Sequence, residues 1–305
     1  MMTSNASGPP QYGVVVVGTD GSAAAGSALL WAAAEAARRD SPLRIVHGTD
    51  TEDRAAHISV ETLDRIGKAG RELLESAADE VARHCPGVEV TTELSRSKPA
   101  AGLRAAAGTD GTIVVGSRGL GGFSALLLGS VGLQVAANGE VPVVVVREDE
   151  QRARAGVVLA ALRGAADLDC VRHAARAAEL RKASLRMLSV WNVFQYVGLV
   201  APLMDDVDEI AHRRSSEILT VTDRIREEFP GLTVSTDVEK GNSTAGVLVE
   251  ASRDADLLVM AGGRGHRLIG PSLARVTHAV LHHAHCPVLL VPRAGVVAKS
   301  EQEKS

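Results

Sequence analysis

Short runs of β-branched and aliphatic residues alternate with longer amphipathic stretches along the chain. In the first half these apolar runs predict buried strands at Val14–Val17, Leu43–His47, Val88–Leu94, Ile113–Val115 and Val143–Val146. The stretches between them have helical spacing and predict helices at Ala23–Arg39, Val60–His84, Ala100–Ala107 and Val131–Asn138. Strands that alternate with helices predict right-handed crossovers and a parallel sheet covered on both faces.

The same order recurs in the second half. Residues from Ala155 onward align with those from Gly13 onward at a constant offset. The predicted elements are Val157–Ala161, Ala165–Ala183, Leu185–Val190, Asp205–Phe229, Leu232–Val238, Thr244–Arg253, Asp256–Met260 and Val288–Val291. Both halves end in a Pro-Val strand, at Pro142 and Pro287. We therefore predict a tandem duplication with domains at 13–148 and 155–293, joined by a short charged linker.

A glycine-rich segment follows the fourth predicted strand. Gly116, Gly119, Gly129 and Ser130 have the spacing Gly-x2-Gly-x9-Gly-Ser, and a predicted helix begins at Val131. Backbone N–H groups at a helix N-terminus suit a phosphate, and glycine lets a ligand approach the backbone. The segment lacks the Gly-Lys-Ser/Thr of a Walker A loop and is not a Gly-x-Gly-x-x-Gly turn. It predicts a nucleotide-binding loop of another kind.

With this loop between a buried strand and a Pro-Val strand, the chain resembles the universal stress protein family over roughly Gly13–Arg293, in a tandem form of actinobacterial type. The resemblance implies two Rossmann-like α/β domains, each with a five-stranded parallel sheet between helices. It implies ATP, accompanied by Mg²⁺, as the ligand. It also implies association through the last strand of each domain, which here would pair the two halves, and it allows a homodimer of whole chains.

The resemblance places the ATP site in the first domain. Asp20, after Thr19, matches the acidic residue beside the nucleotide, and Gly48 matches a backbone contact to adenine. The ribose and phosphate motif falls on Gly116, Gly119, Gly129 and Ser130, and the predicted binding residues also include Arg118 and Val131. Other interpretations stay open: Asp20 as a turn residue that caps the first helix, Arg118 as a solvated loop arginine, and the loop as an ordinary glycine-rich turn capped by Ser130.

The chain departs from the family pattern at several positions. Ser97-Lys98-Pro99 stands where Gly-x-Pro is usual, and Gly111 stands where an aspartate is common. Gly48 replaces the usual valine or alanine, which removes a side chain from the expected adenine pocket. These departures predict weaker affinity, but they leave the phosphate-binding loop intact.

The second half has lost the polar residues of this site. Leu162 stands in place of Asp20, and Arg163-Gly164 stands in place of Gly21-Ser22. Ala274-Arg275 replaces Gly129-Ser130, although the front glycines remain at 262–265. We predict one nucleotide site per chain, in the first domain.

Composition and charge exclude several classes of function. The formal net charge is -4 and aromatic residues make up 2% of the chain, which argues against nucleic-acid binding by a basic, aromatic surface. No apolar segment is long enough to span a bilayer, and no signal peptide is visible. The cysteines Cys85, Cys170 and Cys286 are odd in number and far apart, so we expect no disulfide framework and a cytoplasmic location.

Three further segments allow expectations. His278, His282, His283 and His285 lie near a predicted helix end, where the dipole favours cationic side chains, and we predict no metal site there. Residues Met1–Tyr12 are polar and predicted to be disordered. Trp191 and Phe194–Val200 are assigned to the connection after the second strand of the second half, packed between domains, against a partner or as a lid.

The leading functional hypothesis is an ATP-dependent regulatory switch in the stress response, with an unidentified protein partner. No general base or nucleophile stands out beside the loop, so no catalytic residue is assigned and only slow hydrolysis is expected. An adenylyl-transfer enzyme of the ATP pyrophosphatase type would need a Ser-Gly-Gly-x-Asp-Ser-like loop, but the chain has Gly18-Thr19-Asp20-Gly21-Ser22. A nucleotide-free interaction protein is the third hypothesis.

Overall fold

The computed structural model describes residues 10, 12–119, 128–138, 140–147, 154–191, 204–262 and 274–293. Of these, residues 138, 204–212 and 214 are described by their backbone alone. In the first half the strands are β1 (Val15–Gly18), β2 (Leu43–Gly48), β3 (Val90–Ser95), β4 (Thr112–Gly116) and β5 (Val143–Val146). The helices are α1 (Ala23–Arg39), α2 (Val60–His84), α3 (Pro99–Ala107) and α4 (Ser130–Asn138). Each corresponds to a predicted element.

The second half repeats this order. Its strands are β6 (Val157–Ala161), β7 (Ser184–Trp191), β8 (Val234–Lys240), β9 (Leu257–Ala261) and β10 (Val288–Val291). Its helices are α5 (Leu168–Arg181), α6 (Met204–Glu228), α7 (Thr244–Ala251) and α8 (Arg275–His283). The helix predicted at Ala165–Ala183 starts later than expected, because Ala165–Asp167 forms a 3₁₀ turn. The tandem α/β architecture predicted from the sequence is confirmed.

The strands form one ten-stranded sheet in the order β3-β2-β1-β4-β5-β10-β9-β6-β7-β8. Pairing is parallel within each half and antiparallel where β5 meets β10. Val144 pairs with Leu289 at the centre of this junction. The expected association through the last strands therefore takes place within the chain, and it joins two five-stranded sheets into one.

Helix α1 packs closely on the sheet because its inward face is made of small residues. Ala28, Ala32 and Ala36 are fully buried against the strands. At its start, the hydroxyl of Ser22 accepts a hydrogen bond from the Ala25 N–H at 3.2 Å, a stabilising N-cap. The two halves also end this first helix alike, because Asp40 and Lys182, the equivalent C-cap residues, both adopt the left-handed conformation.

Two expectations about the segments that flank the elements are wrong. Tyr12 is ordered rather than disordered: its ring contacts the His173 ring edge-on, and its hydroxyl donates to the His173 carbonyl at 3.4 Å. Burial raises the pKa of Tyr12 to about 12. Trp191 is the last residue of β7 rather than part of a connection, and its ring contacts Lys240. The expectations for residues 1–9 and 194–200 lie outside the described residues.

A membrane span is not found in the described part of the chain, where every helix is too short or too polar to cross a bilayer.

Candidate functional site

A cavity of about 350 Å³ opens at the carboxyl ends of β1 and β4. These neighbouring strands are the point where strand order reverses in the first half, which is where open α/β sheets bind ligands. All the predicted binding residues line this cavity: Thr19, Asp20, Gly48, Gly116, Arg118, Gly119, Gly129, Ser130 and Val131. The structure thus brings together residues from four separate segments of the sequence.

Apolar side chains form much of the remaining wall. They come from β2, β4, α3 and the approach to α4, and none of them is among the binding residues predicted from the sequence: Val46, Pro99, Leu103, Val115 and Leu128. An apolar wall beside a few convergent polar groups is typical of a small-molecule site. Such residues cannot be recognised from the sequence, because they read as ordinary core.

His47, at the end of β2, is a polar wall residue that the sequence analysis missed. Its Nδ1 lies 2.8 Å from the Thr19 carbonyl oxygen, and Thr19 in turn donates its N–H to the Val46 carbonyl. Because a carbonyl only accepts, Nδ1 carries the proton and donates. His47 therefore ties the end of β2 to the loop that carries Asp20.

Asp20 is a turn residue, as one of its open interpretations has it, but the cap of α1 is Ser22 rather than Asp20. Its Oδ1 accepts a hydrogen bond from the Ser22 N–H at 3.0 Å, and Gly21 adopts a φ of 80°, which suits glycine. The rest of the carboxylate faces the glycine loop, because a Cβ built on Gly119 would lie 2.5 Å from Oδ2. The turn thus holds the carboxylate toward the cavity, so the structural and the ligand-binding roles are compatible.

Gly48 does not enlarge the cavity in the way expected. A Cβ at this position would lie 2.7 Å from the Pro99 Cα and 3.0 Å from its nitrogen. Pro99, the first residue of α3, already fills the space that a valine or alanine side chain would occupy. Pro99 is the proline of the usual Gly-x-Pro, so its close approach, and not a second departure, accounts for glycine at position 48: a side chain there would collide with the start of α3.

The fold requires glycine at one position of the loop, Gly116, but not at another, Gly129. A Cβ on Gly116 would lie 2.5 Å from the Ala24 carbonyl oxygen, so the packing of α1 on β4 requires glycine there. A Cβ on Gly129 would meet its nearest neighbours, in Arg118 and Gly119, only at 3.7–3.8 Å, which is ordinary contact. Gly129 also lacks a positive φ. Among the described residues, neither packing nor backbone conformation requires glycine at 129, and glycine there leaves the backbone open to a close approach.

Helix α4 begins at the cavity wall. The Gly129 N–H donates to the Ser117 carbonyl at 2.8 Å, and the Leu133 N–H donates to the Gly129 carbonyl at 3.0 Å. The N–H groups of Ser130, Val131 and Gly132 thus precede the first bond of the helix and have no acceptor within it. These three residues all line the cavity. Together with the helix dipole they are suited to an anionic group.

We expect Gly116→Ala to lower the free energy of unfolding by about 1–3 kcal/mol, because overpacking against α1 forces the backbone to move. Urea denaturation measures the change. The control is Gly26→Ala, since a Cβ on Gly26 meets nothing within 4 Å. Equal stability of both variants would contradict the packing role of Gly116. If Gly116→Ala is destabilised, a loss of ligand binding in this variant cannot be assigned to the binding site, because it also reflects damage to the fold.

The equivalent region of the second half is built differently. Leu162, in the place of Asp20, is buried at 3% exposure. The following Arg163 donates its N–H and its guanidinium to Asp167, a buried carboxylate that also receives Arg293. Ala274, in the place of Gly129, precedes α8 without a side-chain cap. The described part of this region therefore offers an apolar side chain where the first half offers a carboxylate.

His282, in the last turn of α8, differs from the expectation based on the helix dipole. The rings of His278 and His282 stack with centroids 4.2 Å apart. Burial, then the neighbouring His278, His283 and Arg147, lower the pKa of His282, so its cationic form is disfavoured. Within the described residues no cluster of three or more metal-binding side chains occurs.

Comparison with known proteins gives a consistent result. The sequence profile described as "Universal stress protein family" matches residues 11–147 and again 157–292. A universal stress protein from Mycolicibacterium smegmatis is 29% identical over 290 residues, which cover 92% of this chain and 97% of that protein. Another, from Mycobacterium tuberculosis, is 31% identical over 295 residues, covering 94% and 98%.

A solved structure supports the fold. The universal stress protein from Archaeoglobus fulgidus superposes with a TM-score of 0.64 at 18% identity, covering 92% of this chain and 98% of that one. At this identity the likeness concerns the fold alone. The double match of the family profile, together with relatives that align over almost the whole length, shows that the chain belongs to the universal stress protein family.

Proposed function

We propose that this protein binds ATP in the first domain and acts as a nucleotide-dependent regulatory switch in the stress response. The observation that carries the proposal is the start of α4, where free helical N–H groups and the sterically unneeded Gly129 face one cavity. The apolar wall is suited to an adenine base. The helix start and Arg118 are suited to phosphates.

Mg²⁺ fits the same site. It is usually bound by one or two carboxylates together with nucleotide phosphates, rather than by an all-protein cage. Asp20 is the carboxylate among the described cavity residues, and its turn holds it beside the glycine loop. Asp20 would hold the ion or a ribose hydroxyl, and the ion would offset the phosphate charge that a carboxylate otherwise repels.

We propose binding rather than rapid turnover as the activity. Asp20 and His47 are the acid–base candidates among the described cavity residues, and each already has a structural hydrogen bond, to Ser22 and Thr19. This supports regulation by the bound state, with slow hydrolysis allowed. Cys85, Cys170 and Cys286 form no disulfide, which suits the reducing cytoplasm that we propose as the location.

Calorimetric titration of ATP with Mg²⁺ tests the proposal, and we expect one site per chain. Asp20→Asn keeps a side-chain oxygen for the Ser22 N–H but removes the charge, whereas Asp20→Ala removes both. We expect both variants to lose roughly tenfold in Mg²⁺–ATP affinity, and Asp20→Ala alone to lose about 1 kcal/mol of stability. Unchanged affinity in Asp20→Asn would limit Asp20 to its structural role.

Two results would contradict the proposed function. Two sites per chain would show that the second domain also binds nucleotide. The absence of binding at millimolar ATP would favour a nucleotide-free interaction protein instead.

A further inference from the structure

Arg147, the residue that follows β5, lies at the same edge of the sheet as the phosphate-binding loop. Val146 pairs with Gly116 in the parallel register of β5 and β4, and the Val146 carbonyl accepts the Ser117 N–H at 2.8 Å. Arg147 and Arg118 therefore continue two neighbouring strands beyond their carboxyl ends. Arg147 is not among the binding residues predicted from the sequence.

Arg118 lines the cavity, and Arg147, which does not line it, lies close enough to Arg118 for the two positive charges to interact. In the described part of the chain no ion pair includes Arg118 or Arg147, although many other arginines are paired. Partial burial, and after it the positive charge of Arg118, lower the pKa of Arg147. An anion between them would relieve this repulsion, and arginine suits phosphate because its planar fork donates two parallel hydrogen bonds.

Arg147 also contacts the second domain. Its Nη1 donates to the His282 carbonyl at 2.6 Å, in the last turn of α8. This contact holds the side chain at the boundary between the halves, next to the β5–β10 junction. A guanidinium has five N–H donors, so one bond to a carbonyl leaves others for a phosphate.

We propose that Arg147 is a second phosphate-binding arginine, which with Arg118 makes the site select nucleoside triphosphates over monophosphates. The inference rests on the proposed function, because it assigns a ligand class to the same cavity. Base and ribose contacts are shared by ATP and AMP, so they cannot discriminate between the two. Arg118 and Arg147 contact only the β- and γ-phosphates, which AMP lacks.

The test compares ATP, ADP and AMP, each with Mg²⁺, in calorimetric titrations of the whole chain. We expect Arg147→Gln to weaken ATP binding about tenfold and to leave AMP binding within about twofold. Arg147→Lys keeps the charge but loses the fork, and we expect an intermediate loss. The matched control is Arg226→Gln, which removes an arginine that donates to a backbone carbonyl, Val234, in the second domain.

The outcomes separate this inference from the proposed function. If wild type binds ATP, and Arg147→Gln leaves the ratio of ATP to AMP affinity unchanged, Arg147 is not a phosphate ligand and the cavity remains a nucleotide site. An equal loss in Arg226→Gln would mean that net charge alone is responsible, which also overturns the inference. If wild type binds none of the three nucleotides, the proposed function itself fails.

A spectroscopic readout checks the contact with the second domain. Arg147 is one of the positive groups that lower the pKa of His282. When phosphates bind beside Arg147, their charge is expected to raise the pKa of the His282 ring, as followed by NMR across a pH titration. ATP should produce this rise in wild type but not in Arg147→Gln. A rise of equal size in the variant would show that the phosphates act without Arg147.

Discussion

Replacement of Glu35 with alanine is expected to lower the free energy of unfolding by about 3–5 kcal/mol, because it leaves buried arginine charges without their carboxylate. Glu35 lies in α1 and is 1% exposed. Its carboxylate lies 2.9 Å from Arg38, 2.7 Å from Arg39 and 2.5 Å from Arg181. Since Arg181 belongs to α5, the cluster also fastens the first domain to the second.

The second half has no carboxylate at the position equivalent to Glu35. Arg39 and Arg181 occupy equivalent positions in the two halves, next to the equivalent C-caps. The position equivalent to Glu35, however, is the buried Ala177. One carboxylate therefore serves both arginines. Nearby rings add to the cluster, with Arg39 over Tyr12 and Arg181 over Trp31.

The cluster also predicts the direction of a pH dependence. Burial by itself would raise the pKa of Glu35, but the charges of Arg181, Arg39 and Arg38 outweigh burial and lower the pKa. A carboxylate with a lowered pKa contributes stability above its unfolded value, about 4.3, and loses that contribution as pH falls through the folded value. The stability difference between wild type and Glu35→Gln should therefore shrink in acid.

Urea denaturation at neutral and acid pH measures both effects. Glu179→Ala is the control, because Glu179 lies in α5, is 36% exposed and, within the described residues, forms an ion pair with Arg176 alone. Such exposed pairs contribute about 0–1 kcal/mol. A loss in Glu35→Ala no larger than in Glu179→Ala would show that the cluster does not stabilise the domain junction.

The sequence predicted the strands and helices well because their patterns are local. Where boundaries moved, a turn was responsible: β3 starts at Val90 rather than Val88, whose N–H donates to the Cys85 carbonyl. The positions of the cavity residues followed from topology, since Asp20, Gly48 and Gly116 all lie at or just beyond the carboxyl ends of parallel strands. Local pattern and the known geometry of α/β sheets were sufficient for these features.

Contacts between distant segments could not be predicted in this way. The close contact of Pro99 with Gly48 depends on how α3 packs against β2, and the pairing of Glu35 with Arg181 depends on the junction of the halves. His47 read as the end of a strand, because no nearby residue reveals its bond to Thr19. In each case the partner lies far along the chain, so no local pattern marks it.

Gly129→Val is expected to weaken ATP binding by at least about 100-fold, roughly 2.8 kcal/mol, while the free energy of unfolding changes by less than about 1 kcal/mol. Among the described residues the fold has room for the Cβ of that side chain, which makes only ordinary contacts with Arg118 and Gly119. The same side chain stands at the start of α4, between the ligand and the N–H groups of Ser130 and Val131. Calorimetry and urea denaturation measure the two quantities.

Gly87→Val is the matched control, because Gly87 also lies outside a helix or strand, has open space around its Cβ position and lacks a positive φ. It precedes β3 at the edge of the sheet away from the cavity, so ATP binding should be unchanged. A large loss of stability in Gly129→Val would mean that the fold itself needs this glycine. Unchanged affinity would mean that phosphates do not bind at the start of α4.

The second half offers an independent form of the same experiment. Ala274-Arg275 begins α8 at the position where Gly129-Ser130 begins α4, so this dipeptide is compatible with the fold. We expect the double variant Gly129→Ala/Ser130→Arg to remain as stable as wild type and to bind ATP more weakly, because a Cβ then blocks the approach to the helix start. If binding is retained, the added arginine replaces the lost backbone contacts, and Ala274-Arg275 no longer argues against a site in the second domain.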